Sequence, residues 1–358
     1  MLHILPDLLK MENGALVENE QDWKKRREEI LDLLRREIYG FPPPVLSPGK
    51  GEILSENSKC CAGHAHLQEI KITAETEKEP FSWPVKFFCP VSPGPHPLFI
   101  LLNFRPDAYD MYFPAEEIID HGFALAVIYY EDITSDKPHT WDKLASCFER
   151  PKDGTGFGAL TLWAWAASRT LDHFLTRPEI DKNQIAVIGH SRLGKTALWC
   201  GAQDERFRYV FSNDSGCAGA ALEKIHHPGS ETTEIISRVF PHWFCENYRK
   251  YADHPEIMPF DQHFLLAASA PRFVCVGSAS LDEWADPYGE QLSCLAASPA
   301  WEALGKEGFI GPKYPAKVGS AYLSGSVGYQ LRDGIHFLSR QDWLQYMAFI
   351  QKHREKES

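Results

Sequence analysis

The sequence predicts a doubly wound α/β fold, a mostly parallel sheet covered by helices on both faces as a three-layer sandwich. Three observations predict it. Short apolar runs recur without polar interruption, helical stretches alternate with them, and no internal repeat or low-complexity segment breaks the order. Continuous runs suit strands buried on both faces of a parallel sheet, whereas half-exposed strands alternate.

The elements follow in order. From about Gln21 to Tyr39 a charged amphipathic helix is expected, with Trp23, Ile30, Leu34 and Ile38 near one face, ended by Gly40 and Pro42-Pro43-Pro44. Glu and Asp among its Lys and Arg make it a solvated helix on the flank rather than a membrane helix. His66 to Ile72 and Val85 to Cys89 alternate as antiparallel strands leading into a larger sheet. After Pro97 the runs become continuous: Leu98 to Leu102, Ala124 to Ile128, Ile185 to Ile188, Tyr209 to Phe211 and Phe273 to Val276. Helices are expected over Pro114 to His121, Gly158 to Thr176, Gly194 to Asp204 and Arg340 to Lys352. His226 to Asp261 is rich in Trp, Phe, Tyr and His and separates two core strands. It is expected as an insertion over the strand C-termini, where α/β sites lie. With no clear linker, the chain is expected to form one domain over residues 1–358, with 1–50 as an N-terminal helical extension.

Composition bounds the function. The chain has 358 residues, 44% hydrophobic and 24% charged, enough for a large core. A net charge of -12 speaks against nucleic acid and anionic membrane surfaces as partners. No apolar run is long enough to span a bilayer. Met1 to Pro6 is apolar but lacks a basic segment before it, so the chain reads as cytoplasmic. A chain with its leader already removed, secreted or periplasmic, would look the same. Nine cysteines without a C-x-x-C pair read as small buried hydrophobes in a reducing compartment. His64-Ala65-His66 has strand spacing without a third ligand nearby, and there is no P-loop or dinucleotide fingerprint. No cofactor or metal is expected.

The chemistry concentrates where Ile185-Ala186-Val187-Ile188 runs into a helix and Ser191 stands at the junction. This is the logic of a nucleophile elbow: a sharp strand-to-helix turn exposes the hydroxyl, and the helix N-terminus faces a developing oxyanion. The usual G-x-S-x-G is displaced, because the second glycine comes one place later, at Gly194. Arg192 and Lys195 follow the serine closely. Cations at a helix N-terminus oppose its dipole and ask for compensating anions. His336, on a glycine-containing loop before the last helix, is the expected general base, and the order serine, acid, histidine is that of an α/β-hydrolase. Two acids are open: Asp282 after one core strand, ranked slightly first, and Asp214 after the strand before it. Either can orient the imidazole.

Gly189-His190-Ser191-Arg192-Leu193-Gly194-Lys195 resembles the G-x-S-R-x-G-K signature of the glucuronoyl esterases, carbohydrate esterase family 15. Ala202 to Phe207, Ser212 to Gly216, Pro241 to Phe244 and Trp284 to Pro287 resemble its bacterial branch, and the similarity covers most of the chain. The resemblance implies an α/β-hydrolase with a Ser-His-acid triad that cleaves esters of (4-O-methyl-)glucuronic acid on xylan with lignin alcohols. It implies that Lys195 bonds sugar hydroxyls, that Trp284 packs beside the ring, and that Glu231 matches a sugar-binding carboxylate. It places a catalytic Glu of many members at Asp214 and the catalytic histidine at His336. His242 and Trp243 are expected to hold the insertion in place rather than touch substrate. Two departures stand out. The fungal members carry a bridged cysteine where this chain has His190, and many relatives have a histidine at Gln330. An acetyl(xylan) esterase on the same triad is the nearest alternative. A noncatalytic carbohydrate-binding relative would have lost a triad member, and a serine peptidase of this fold would usually carry a large extra domain.

Overall fold

All five continuous apolar runs become neighbouring strands of a single sheet. The computed structural model describes residues 4–356, so the leader expectation for Met1 to Pro6 falls partly outside the described residues. In chain order the described strands are β1 (Lys50–Cys60), β2 (Ala65–Ala74), β3 (Phe81–Pro90), β4 (His96–Asn103), β5 (Ala124–Tyr129), β6 (Ile180–His190), β7 (Tyr209–Asn213), β8 (Phe273–Ala279), β9 (Ser320–Tyr322) and β10 (Val327–Arg332). The helices are α1 (Glu20–Leu34), α2 (Ala115–Asp120), α3 (Ala159–Phe174), α4 (Arg192–Gln203), α5 (Thr233–Val239), α6 (His263–Ala267), α7 (Pro287–Ala297), α8 (Pro299–Glu302) and α9 (Arg340–Glu355). The strand order is β1-β2-β3-β5-β4-β6-β7-β8-β10-β9. From β5 through β4, β6, β7 and β8 to β10 every pairing is parallel, while β1, β2, β3 and β9 join antiparallel at the two ends.

The three layers follow from side-chain alternation. Along β4, Leu98, Ile100 and Leu102 enter one core while Phe99 and Leu101 enter the other. The first core takes residues of α1, α3, α4 and α6; the second takes residues of α2 and α9. Both faces are buried, which is why these strands read as uninterrupted apolar runs. Each fully buried Leu, Ile or Phe contributes about 1.5–3 kcal/mol relative to exposure.

The amphipathic N-terminal helix forms with Asn19 as its cap, its side chain accepting from the Asp22 amide, and ends in a π turn over Arg35–Tyr39. Trp23, Ile30, Leu34 and Ile38 are buried on its inner face, as their spacing predicts. Its charges are not all solvated. Arg27 reaches the carbonyls of Ala268 (2.8 Å) and Ala202 (2.7 Å), and Arg26 that of Leu8 (2.9 Å). Several elements had no sequence signal, and three of them show why. β1 is an exposed edge strand without alternation, β10 is interrupted by Gly328, and α7 has buried polar residues where an amphipathic pattern would show apolar ones. All nine cysteines are free. Among the described residues, no helix is long and apolar enough to cross a membrane.

The topology decides where chemistry can occur. β6, β7, β8 and β10 lie side by side and parallel, so their C-terminal ends share one edge of the sheet. Ser191 follows β6, Asp214 follows β7, Asp282 lies just beyond β8 and His336 just beyond β10. The segment 226–261 sits between β7 and β8 as α5 and several short turns, and it reaches this same edge.

Candidate active site

Ser191 sits in a backbone conformation that few residues other than glycine adopt, φ 57° and ψ −128°. A non-glycine residue held there signals stored strain at a functional turn. Its amide donates to Asn213 O (2.8 Å), and its carbonyl accepts from the amides of Gly194 (2.8 Å) and Lys195 (3.1 Å). The displaced glycine has a steric explanation. A Cβ on Gly189 would lie 2.0 Å from the Leu193 carbonyl oxygen. One on Gly194 would lie 3.0 Å from Ser215 Cβ and 3.1 Å from Gly189 O. The two glycines thus let strand and helix close on each other, and Gly194 does so from the inner face of α4. The Arg192 and Leu193 amides precede the first intrahelical bond and carry the positive end of the helix.

His336 Nδ1 donates to Asp282 Oδ2 at 2.5 Å. Asp282 is buried, and its other oxygen accepts from the Ala285 amide (3.3 Å). That bond leaves Nε2 as the ring nitrogen for exchange with a hydroxyl. Asp214 lies close by but is engaged elsewhere. Its Oδ1 accepts from the Ala279 amide (2.7 Å), and its Oδ2 faces Arg332 Nη2 (3.4 Å) and the Phe337 amide (3.5 Å). Burial pushes the Asp214 carboxyl well up, the charges of Glu290, Asp282 and Asp342 add to this, and Arg332 opposes it. His190 packs against His336 with ring centroids 4.4 Å apart and donates to Asn213 Oδ1 (2.7 Å). Burial first, then the His336 charge, lowers the His190 pKa to about 3. Asp214, Asp282 and His336 bring their ligating atoms within 4.8 Å of one another, a spacing a metal could use. Arg332 already supplies positive charge there, so the set reads as a hydrogen-bonded acid–histidine cluster.

The two cations after the serine each have the anion that their position asks for. Arg192 pairs with Asp136 through Nη1. Its guanidinium lies 4.8 Å from the Trp243 ring, 5.6 Å from Phe240 and 5.7 Å from Phe104. Its Nε is buried without a protein acceptor. Lys195 is buried and donates to Ser215 O (2.6 Å), Cys217 O (2.6 Å) and Glu231 Oε2 (3.0 Å). An ammonium has three protons, so the sugar-bonding part expected of Lys195 meets donors already committed to protein. Glu231 in turn donates its amide to Trp284 O (2.9 Å), and Trp284 stands 48% exposed at the rim.

Ser191, Arg192, Lys195, Glu231, Trp284 and His336 face one cavity of about 190 Å³, which Asp214 also lines. Asp282 stands behind His336. Phe240 and Trp243 wall the cavity as well, so Trp243 does more than brace the insertion. Asp136 was not singled out from the sequence. The need for a counter-anion was legible, but its place in the loop after β5, far along the chain from Arg192, carries no motif.

A parallel sheet flanked on both faces, with a strained serine turn and an acid–histidine pair at one strand edge, defines an α/β-hydrolase. A family model described as "Glucuronyl esterase, fungi" matches residues 70–305. A carbohydrate esterase from an unknown prokaryotic organism is 31% identical over 98% of this chain and 90% of its own length. The 4-O-methyl-glucuronoyl methylesterase of Podospora anserina is 27% identical over 99% of this chain and 68% of its own. The solved glucuronoyl esterase from Solibacter usitatus superposes with a TM-score of 0.88 at 33% identity, covering 97% of each chain. The chain therefore belongs to the glucuronoyl esterase family, carbohydrate esterase family 15, and is a carboxylic ester hydrolase.

Proposed function

We propose that the chain, as one catalytic unit, hydrolyses (4-O-methyl-)glucuronoyl esters of the xylan–lignin type through an acyl-enzyme. Ser191 gives its proton to His336 Nε2 and attacks the ester carbonyl. Asp282 holds the imidazole tautomer and stabilises the imidazolium. The Arg192 amide and guanidinium receive the oxyanion. The alcohol leaves with the proton from His336, and water activated by the same histidine releases the uronic acid. The observation that carries this reading is one cavity that joins Ser191 and His336 to the caged guanidinium of Arg192. Names of the relatives point to the same substrate class. Trp284 offers a sugar ring an aromatic face at the rim, and Glu231 a carboxylate in the wall.

The test is hydrolysis of benzyl glucuronate beside 4-nitrophenyl acetate, by wild type and Ser191→Ala. Cleavage of the glucuronate that vanishes in Ser191→Ala is expected; good acetate cleavage with none of the glucuronate would transfer the assignment to an acetyl(xylan) esterase. One observation favours that second reading: the Lys195 donors are already taken by protein acceptors.

A further inference from the structure

We propose that Asp136 is a positioning residue of the reaction: it fixes the Arg192 guanidinium beside Ser191 and thereby sets the oxyanion contact. This rests on the part assigned above to Arg192.

The Asp136 carboxylate is held by four donors from three parts of the chain. Its Oδ1 accepts from His242 Nε2 (2.8 Å) and Trp243 Nε1 (2.6 Å), both on the insertion. Its Oδ2 accepts from Tyr130 Oη (3.2 Å), in the turn just after β5, and pairs with Arg192 Nη1. The side chain is 4% exposed. Burial alone would raise its pKa. The His242 bond, the Arg192 charge and the Trp243 bond outweigh burial and hold it at about 2, so Asp136 stays ionised wherever the enzyme works. A carboxylate fixed at both oxygens leaves its cationic partner little freedom. Phe240 and Trp243 stack at 4.0 Å and 3°, and close over the guanidinium from the insertion side. Asp136 engages Nη1, while Nε has no protein acceptor. A guanidinium clamped along one edge meets the developing charge without reorganising, which is the condition for strong oxyanion stabilisation.

The experiment is a double-mutant cycle with Asp136→Asn and Arg192→Ala, read as kcat and KM on both benzyl glucuronate and 4-nitrophenyl acetate. The tetrahedral oxyanion is common to the two esters. Asp136→Asn is therefore expected to lower kcat by about 30-fold on each, with KM within about threefold. In the Arg192→Ala background the same substitution should cost nothing further, because Asp136 acts only through Arg192. His242→Leu removes one donor to Asp136 and leaves the lining of the Ser191 cavity intact. It should lower kcat by a smaller factor and also lose its effect without Arg192, so the cycle survives if Asp136→Asn folds poorly. Wild-type kcat in Asp136→Asn, or multiplicative losses in the double variant, would overturn the proposal. Failure of the uronate reading alone leaves the acetate arm to decide it. Wild type silent on both esters would sink both readings.

Discussion

The loops after β7 and β8 each bring a buried aspartate to the neighbourhood of His336, yet they are built for different work. The β7 loop is bound from below and beside. Glu290 accepts from the amides of Ser215 (2.8 Å) and Gly216 (3.0 Å), Lys195 donates to the carbonyls of Ser215 and Cys217, and Asp214 is tied to the Ala279 amide and faces Arg332. The β8 loop commits one oxygen of Asp282 to His336 and leaves Leu281 and Trp284 exposed at the rim. The two carboxylates differ in reach and in what their lone pairs already hold: Asp282 Oδ2 lies 2.5 Å from His336 Nδ1, whereas the oxygens of Asp214 face the Ala279 and Phe337 amides and Arg332.

The sharpest way to break this comparison is to exchange the effects of the two acids. Asp282→Asn should lower kcat by about 10³-fold or more with thermal stability nearly unchanged, since the imidazole loses its tautomer-setting acceptor. If Asp214→Asn gave the larger loss instead, the β7 loop would carry the acid. Next in size is the platform under β7. Lys195→Met leaves Glu231 as a buried unpaired charge and should cost about 3 kcal/mol of stability, seen as a fall in Tm. Adding Glu231→Gln should restore much of it; a KM change on uronates without a Tm change would show instead that Lys195 addresses substrate.

Glu290 gives a pH-dependent version of the same test. Burial raises its pKa from the usual 4.5 to about 7, against the hydrogen bonds from Ser278 and Gly216. Folding therefore favours its protonated form. Its contribution is fully present below about pH 4.5 and is lost as pH rises through 7. In Tm measured from pH 4.5 to 8, wild type should lose ground relative to Glu290→Gln as pH rises. A constant gap would show that Glu290 folds ionised. The smallest effect is expected at the rim: Trp284→Ala should raise KM for the glucuronate by about fivefold with kcat kept, as loss of uniform binding does.

Much of this was legible because parallel strands announce themselves. Leu98 to Leu102 and Ala124 to Ile128 have both faces buried, so nothing in their pattern competes with the strand assignment. The residues now seen around the strand edge were legible as well, because serine, acids and histidine stand at predictable points after β6, β7, β8 and β10. What the sequence left open is what side chains do across the sheet. Asp214 and Asp282 were nearly equal candidates because their difference lies in Arg332 and the Ala279 amide, which spacing does not reveal. Lys195 was expected to bond sugar hydroxyls because spacing does not reveal that Ser215 O and Cys217 O, backbone atoms, accept two of its protons. Asp136 was invisible for the same reason: a lone aspartate in a loop has no signature until Arg192, His242 and Trp243 converge on it.

The insertion 226–261 contributes His242 and Trp243 to a carboxylate that lies outside it. For anyone recombining relatives, this segment and the β5 loop form a single inheritable part. A chimaera that imports a foreign insertion without a His-Trp pair would leave Asp136 Oδ1 without its two donors, and would degrade turnover even if the new segment fitted a better substrate. Library designs aimed at new esters should therefore diversify the rim around Trp284 first and exchange the insertion only together with residues 130–136.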